Sequence, residues 1–121
     1  MSDEVLLKLL VIKTHDMPTV RRFYAALGLE FVEERHGAGP LHYAATIGEM
    51  VLEIYPLADG KAADDSLRLG FAVANLEERL TGLADAGGKV LKPLKETPWG
   101  PMALVADPDG RRVELYRHVD G

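Results

Sequence analysis

The strongest constraint on this chain is an internal repeat. Leu9–Phe31 reads as strand, capped helix, glycine stop and strand, and Arg68–Leu91 reads the same way. Leu52-Glu53-Ile54-Tyr55 matches Val113-Glu114-Leu115-Tyr116, with the two glutamates 61 residues apart. The glycine stops Gly28 and Gly88 are 60 apart, and the cap residues Asp16 and Asn75 are 59 apart. Three landmarks at one near-constant offset mark a duplicated unit of about 60 residues. A chain of 121 residues has room for two such units sharing a core. It has no room for a dinucleotide fold with a second domain, or for a full (β/α) barrel.

Each unit reads as β-α-β-β-β. Lys8–Thr14 is apolar and β-branched, so a strand. Asp16 suits an N-cap, Pro18 fits a first turn, and Val20, Phe23, Tyr24 and Leu27 recur on one helical face. Gly28 supplies a left-handed stop. Leu29–Arg35 follows as a strand, 36–40 as a loop, and His42–Ile47 with Met50–Tyr55 as a hairpin about Gly48-Glu49. In the second unit Arg68–Ala74 is a strand, and Asn75 with Glu78 has capping-box spacing. Leu76, Leu80, Leu83 and Ala84 form the buried stripe, and Gly87-Gly88 ends the helix. Lys89–Leu94 is a strand and Lys95–Pro101 a loop. Met102–Ala106 then pairs with Arg111–Arg117 about the turn Asp107-Pro108-Asp109-Gly110. The expectation is an α+β fold of two tandem βαβββ units forming a curved mixed-sheet cup. It makes one domain over 1–121: unit one about 5–58, a linker about 59–65 and unit two about 66–119.

Composition excludes several chemistries. With no cysteine there is no thiolate nucleophile, disulfide or cysteine-ligated metal. The only serines are Ser2 and Ser66, and there is no nucleophile elbow, dinucleotide fingerprint or phosphate-binding loop. A net charge of −5 with scattered basic residues argues against nucleic acid. No apolar run reaches membrane-spanning length, and the acidic start lacks the basic lead of a signal peptide. A cytoplasmic protein is expected.

Phe23-Tyr24 with Leu27-Gly28-Leu29, the two Glu-bearing strands and the Asp107–Gly110 turn together resemble the vicinal oxygen chelate superfamily. That superfamily includes glyoxalase I, bleomycin-resistance proteins and extradiol dioxygenases. The resemblance runs from about Leu6 to His118. It implies a cup that holds a small molecule and, in many members, one divalent ion bound by the first and last strand of each unit. It also implies a homodimer. Carried over by position, the last-strand ligands fall on Glu53 and Glu114, and the first-strand ligands on Leu9 and Arg68. Leucine has no lone pair and arginine stays protonated, so neither ligates a metal. The expectation is therefore a small-molecule-binding member without the usual metal, Arg68 bridging both glutamates in place of the ion. The alternative is a divalent-metal lyase, isomerase or dioxygenase using Zn, Ni, Mn or Fe, held by Glu53, Glu114 and His42.

His42 shares strand parity with Ala44 and Thr46, and would serve as a third ligand, a general base or a donor to substrate. An ordinary hydrogen-bonded histidine is the competing reading. Glu114 and Glu53 are the other catalytic candidates. Arg68, Trp99, Tyr55, Tyr116 and Lys95 are candidates for ligand binding. Trp99 sits among prolines and a glycine, either stacking on a ligand or covering an apolar edge. His15 and His36 read as solvent-exposed, His118 as mobile near the C-terminus, and Tyr43 as core.

Overall fold

Asp16 starts the first helix as its sequence predicts. Its carboxylate accepts from the Thr19 amide at 3.3 Å and the Thr19 hydroxyl at 2.7 Å. These contacts satisfy a donor that the first helical turn leaves open. In the computed structural model, which describes residues 3–118, this helix, α1 (Met17–Ala25), follows β1 (Leu9–Thr14). Gly28 ends the turn that follows it with φ +110°, a conformation that side chains resist. Then come β2 (Val32–Glu34), β3 (His42–Ile47) and β4 (Met50–Pro56). The second unit repeats the order: β5 (Arg68–Val73), α2 (Leu76–Asp85), β6 (Lys89–Thr97), β7 (Gly100–Ala106) and β8 (Arg112–Arg117).

Each unit makes one four-stranded mixed sheet. The orders are β1-β4-β3-β2 and β5-β8-β7-β6, with the first strand of each unit parallel to its last. Alternation decides what each face carries. Ile12, Tyr43, Leu52 and Ile54 turn into the core with Val20, Phe23 and Tyr24 of α1. The intervening residues Glu53 and His42 therefore stand on the opposite face. Tyr43 is core, as its parity predicts, and the Arg21 guanidinium lies 4.7 Å from its ring centre.

The units are locked together by packing and by one buried polar network. Gly88 meets Phe23 so closely that a Cβ there would fall 2.5 Å from the ring. Phe23 is fully buried, and truncating such a side chain typically costs about 3–5 kcal/mol. Tyr24 donates to Asp107 at 2.6 Å across the same junction. Arg111 donates to Asp107 at 3.1 Å, to Asp109 at 3.0 Å and to the Lys13 carbonyl at 2.7 Å. Burial and the adjacent Asp107 push the Tyr24 phenol far up. Burial draws the Arg111 guanidinium down, but the aspartates hold it above its ordinary value. Removing one member of such a network costs about 3–5 kcal/mol, because its partner is left buried and unpaired.

Several expected details are corrected. The strand over Leu29–Arg35 shrinks to β2, three residues long. Asn75 makes no side-chain cap: at φ +55° it is left-handed, and its side chain does not follow capping-box geometry. Glu77 and Glu78 instead place negative charge at the start of α2. The loop expected at Lys95–Pro101 is the end of a long β6–β7 hairpin. The Thr97 hydroxyl accepts from the Trp99 amide and donates to the Gly100 carbonyl, which shrinks the turn to Pro98-Trp99. Pro93 is tolerated because β6 is an edge strand and its register shifts on both sides of Lys92. Arg111 lies outside β8, buried in the preceding turn.

Candidate metal centre

Glu34, the last residue of β2, stands in register opposite His42 of β3. Ala44 stands opposite Glu53 of β4, so Glu53 lies diagonally across from His42 on the same face. The His42 ring is 1% exposed. Its Nδ1 lies 3.2 Å from the Pro40 carbonyl, an oxygen that only accepts. That contact makes Nδ1 the donor and leaves Nε2 of the neutral ring as a lone pair.

The lone pair is buried and has no hydrogen-bond partner among the described residues. It faces Glu34 Oε1 at 3.3 Å and Glu53 Oε2 at 3.5 Å. His36, on the loop just past β2, brings its Nε2 to 3.6 Å from the same Glu34 oxygen. Ligand atoms of Glu34, His36 and His42 all lie within 4.8 Å of one another. Tyr55 stacks on His42 at 4.1 Å, with the planes 9° apart. Desolvation, then the charges of Glu53 and Glu34, push the Tyr55 phenol up, so it stays neutral.

With the His42 ring uncharged, acceptors converge here without a donor between them. Such a group is stable only with a proton or a cation at its centre. Two imidazoles and a carboxylate are a donor set for Zn, Ni, Mn or Fe, and a carbonyl that orients the imidazole is the usual support. The expectation of a chain without a metal site is overturned by this cluster, which is capable of chelating a divalent ion. Glu34 was missed because its partnership with His42 is created by strand pairing. His36 carried a usable signal, since Glu34-Arg35-His36 puts two ligand types two residues apart.

The second unit treats its glutamate differently. Arg68 Nε donates to Glu114 Oε2, and the Tyr116 hydroxyl donates to Glu114 Oε1. The Tyr116 bond, then Arg68, hold the Glu114 carboxyl below its ordinary range, and the same bond pushes the Tyr116 phenol up. Arg68 does not bridge the two glutamates as expected. It serves Glu114 alone, while Glu53 turns to His42. Leu9 is half exposed. Trp99 is 78% exposed at the tip of the β6–β7 hairpin. With Arg68, Met102, Glu114 and Tyr116 it lines an open cavity of about 490 Å³. Lys95 borders a separate shallow cavity with Leu94, Glu96, Pro101 and Arg117. His15 is exposed and donates through Nε2 to the Lys61 carbonyl at 2.6 Å. Among the described residues no helix is long and apolar enough to cross a membrane.

The family model described as "Glyoxalase/Bleomycin resistance protein/Dioxygenase superfamily" matches residues 7–115. No curated protein matches the sequence closely enough to count as a relative. Solved structures do match. A glyoxalase-related enzyme from Fulvimarina pelagi is 23% identical with a TM-score of 0.73, over 93% of this chain and 88% of that one. TnmS3, an antibiotic binding protein from Streptomyces sp. CB03234, is 21% identical with a TM-score of 0.73, over 97% and 98%. Oxidase ChaP-H2 is 18% identical with a TM-score of 0.74, over 94% of each chain. At these identities the likeness establishes the fold alone.

Proposed function

The chain belongs to the glyoxalase/bleomycin resistance protein/dioxygenase superfamily, and from that premise we propose that it is a divalent-metal-dependent enzyme acting on a small organic molecule. The reaction is a lyase, isomerase or dioxygenase reaction of the glyoxalase type. One observation carries this reading: the buried, unpartnered Nε2 of His42 aimed at two carboxylates.

His42, His36 and Glu34 would hold the ion. When bound, it would supply a Lewis acid for adjacent oxygens of the substrate. Pro40 keeps His42 in the tautomer that can ligate through Nε2. Glu53, largely buried beside it, would accept a proton from a substrate carbon or hydroxyl. Tyr55 walls this side as a neutral phenol. Glu114, with both oxygens engaged, positions Arg68 in the second unit.

In this reading the protein is cytoplasmic and its partners are small molecules, not nucleic acids. It works as a homodimer. The exposed apolar residues Val5, Leu6, Leu7, Leu9, Val11 and Val32 support that assembly, because isolated chains seldom leave so much apolar surface in water.

The test is elemental analysis of purified protein dialysed in turn against Ni, Zn, Mn and Fe. One ion per chain is expected, lost in Glu34→Gln and His42→Ala. Isomerase and ring-cleaving dioxygenase assays on the loaded protein follow. Absence of a stoichiometric ion under all four conditions contradicts the proposal.

A further inference from the structure

The Trp99 cavity of the second unit lies outside the proposed metal centre and has a chemistry of its own. Glu114 engages only the Nε–H of Arg68. The Nη1 and Nη2 groups have no partner among the described residues, and the side chain is half exposed. A guanidinium anchored on its Nε side presents its outer N–H pair as a flat fork. Beside that fork stand the indole of Trp99, the thioether of Met102 and the phenol of Tyr116. Trp99 is the chain's one tryptophan, held out on a tight hairpin turn with most of its surface in water. A cavity of about 490 Å³ lies within the size range of small-molecule sites.

We propose that this cavity binds a planar aromatic monocarboxylate, with its two oxygens on Arg68 and its ring against Trp99. The inference rests on the small-molecule part of the function proposed above and not on the ion. Charge selects the class. Arg68 is matched to Glu114 on one side, so one further negative charge is tolerated at the fork. A doubly charged phosphate meets the fixed charge of Glu114 and the overall −5 of the chain. The aromatic part follows from Trp99 and Met102, which prefer a flat polarisable face.

The experiment is calorimetric titration of the full chain with 2-naphthoate, 2-naphthylmethanol and 2-naphthyl phosphate. The carboxylate binds at least about tenfold more tightly than the alcohol, the loss expected when a charge-assisted fork is left without its partner. It also outcompetes the phosphate. Arg68→Gln removes the preference for carboxylate over alcohol, and Trp99→Ala weakens both ligands. His42→Ala leaves all three affinities unchanged while losing the ion. The comparison of the three probes on the parent chain needs no variant, so it survives any misfolding of Arg68→Gln.

Equal binding of naphthoate and the alcohol overturns the proposal, as does tighter binding of the phosphate. So does a Trp99→Ala variant that changes the sedimenting mass and leaves naphthoate affinity intact, because Trp99 is then a contact between copies. If naphthoate fails to bind while one ion per chain is present, this inference falls and the metal centre stands. The converse result removes the ion and keeps the carboxylate site.

Discussion

Glu53 and Glu114 hold the same place in the two repeats and have opposite company. Glu53 stands opposite Ala44 of β3, with His42 two residues before it, and Glu34 of β2 opposite His42. Glu114 stands opposite Leu104 of β7, with Met102 two residues before it, and Lys95 of β6 opposite Met102. The second unit thus has a thioether where the first has an imidazole, and a lysine where the first has a carboxylate. At the start of the units, Leu9 corresponds to Arg68, and only Arg68 reaches its glutamate. One unit neutralises its carboxylate internally. The other leaves two carboxylates and a lone pair facing one another. The same backbone therefore yields a face capable of holding an ion or a self-paired face, according to a few side chains.

The largest expected effect comes from breaking the open side of this comparison. His42→Ala lowers ion affinity by more than about 100-fold, beyond what loss of a supporting contact alone would cause. Calorimetric metal titration reads it directly. Retained affinity would mean that the ion sits elsewhere. Next is an attempt to convert the closed side into the open one. The triple substitution Arg68→Leu, Lys95→Glu and Met102→His gives the second unit the residues that Leu9, Glu34 and His42 provide in the first. Elemental analysis should then find two ions per chain where the parent has one. A ratio that stays at one would show that the loop carrying His36, absent from the second unit, is indispensable.

The smallest effect is a pH dependence. The carboxyl of Glu114 is held low in the fold, so its contribution is full above the ordinary carboxylate range. It is lost as pH falls through the lowered value. Melting curves from neutral to acid pH should show a shallower acid limb in Glu114→Gln than in the parent. Parallel limbs would mean that the Arg68 and Tyr116 contacts contribute nothing measurable to stability.

The fold was legible because its signals are local. Apolar spacing, the Asp16 cap, the glycine after α1 and the Asp107–Gly110 turn each act within a few residues, and the repeat supplied the apolar spacing and the glycine stop twice. The Asn75 cap failed because a residue type does not reveal its own φ. The Trp99 loop failed because a hydroxyl, Thr97, closed the hairpin two residues from its tip. Site residues depend on pairing between strands, so they were only half legible. His42 was singled out by parity and Glu53 by the repeat and the family resemblance, while Glu34 became a candidate only once β2 was set opposite β3. Arg111 gave no sign of burial in the sequence. Its place comes from three oxygens supplied by Asp107, Asp109 and Lys13, the last from the other unit.

The most direct test of the central claim is X-ray absorption at the metal edge of Zn- or Ni-loaded protein. Two imidazoles bound to the ion are predicted, those of His36 and His42. One of them should disappear in His36→Ala. A spectrum with oxygen neighbours alone would contradict the assignment of the ion to the first unit's histidines.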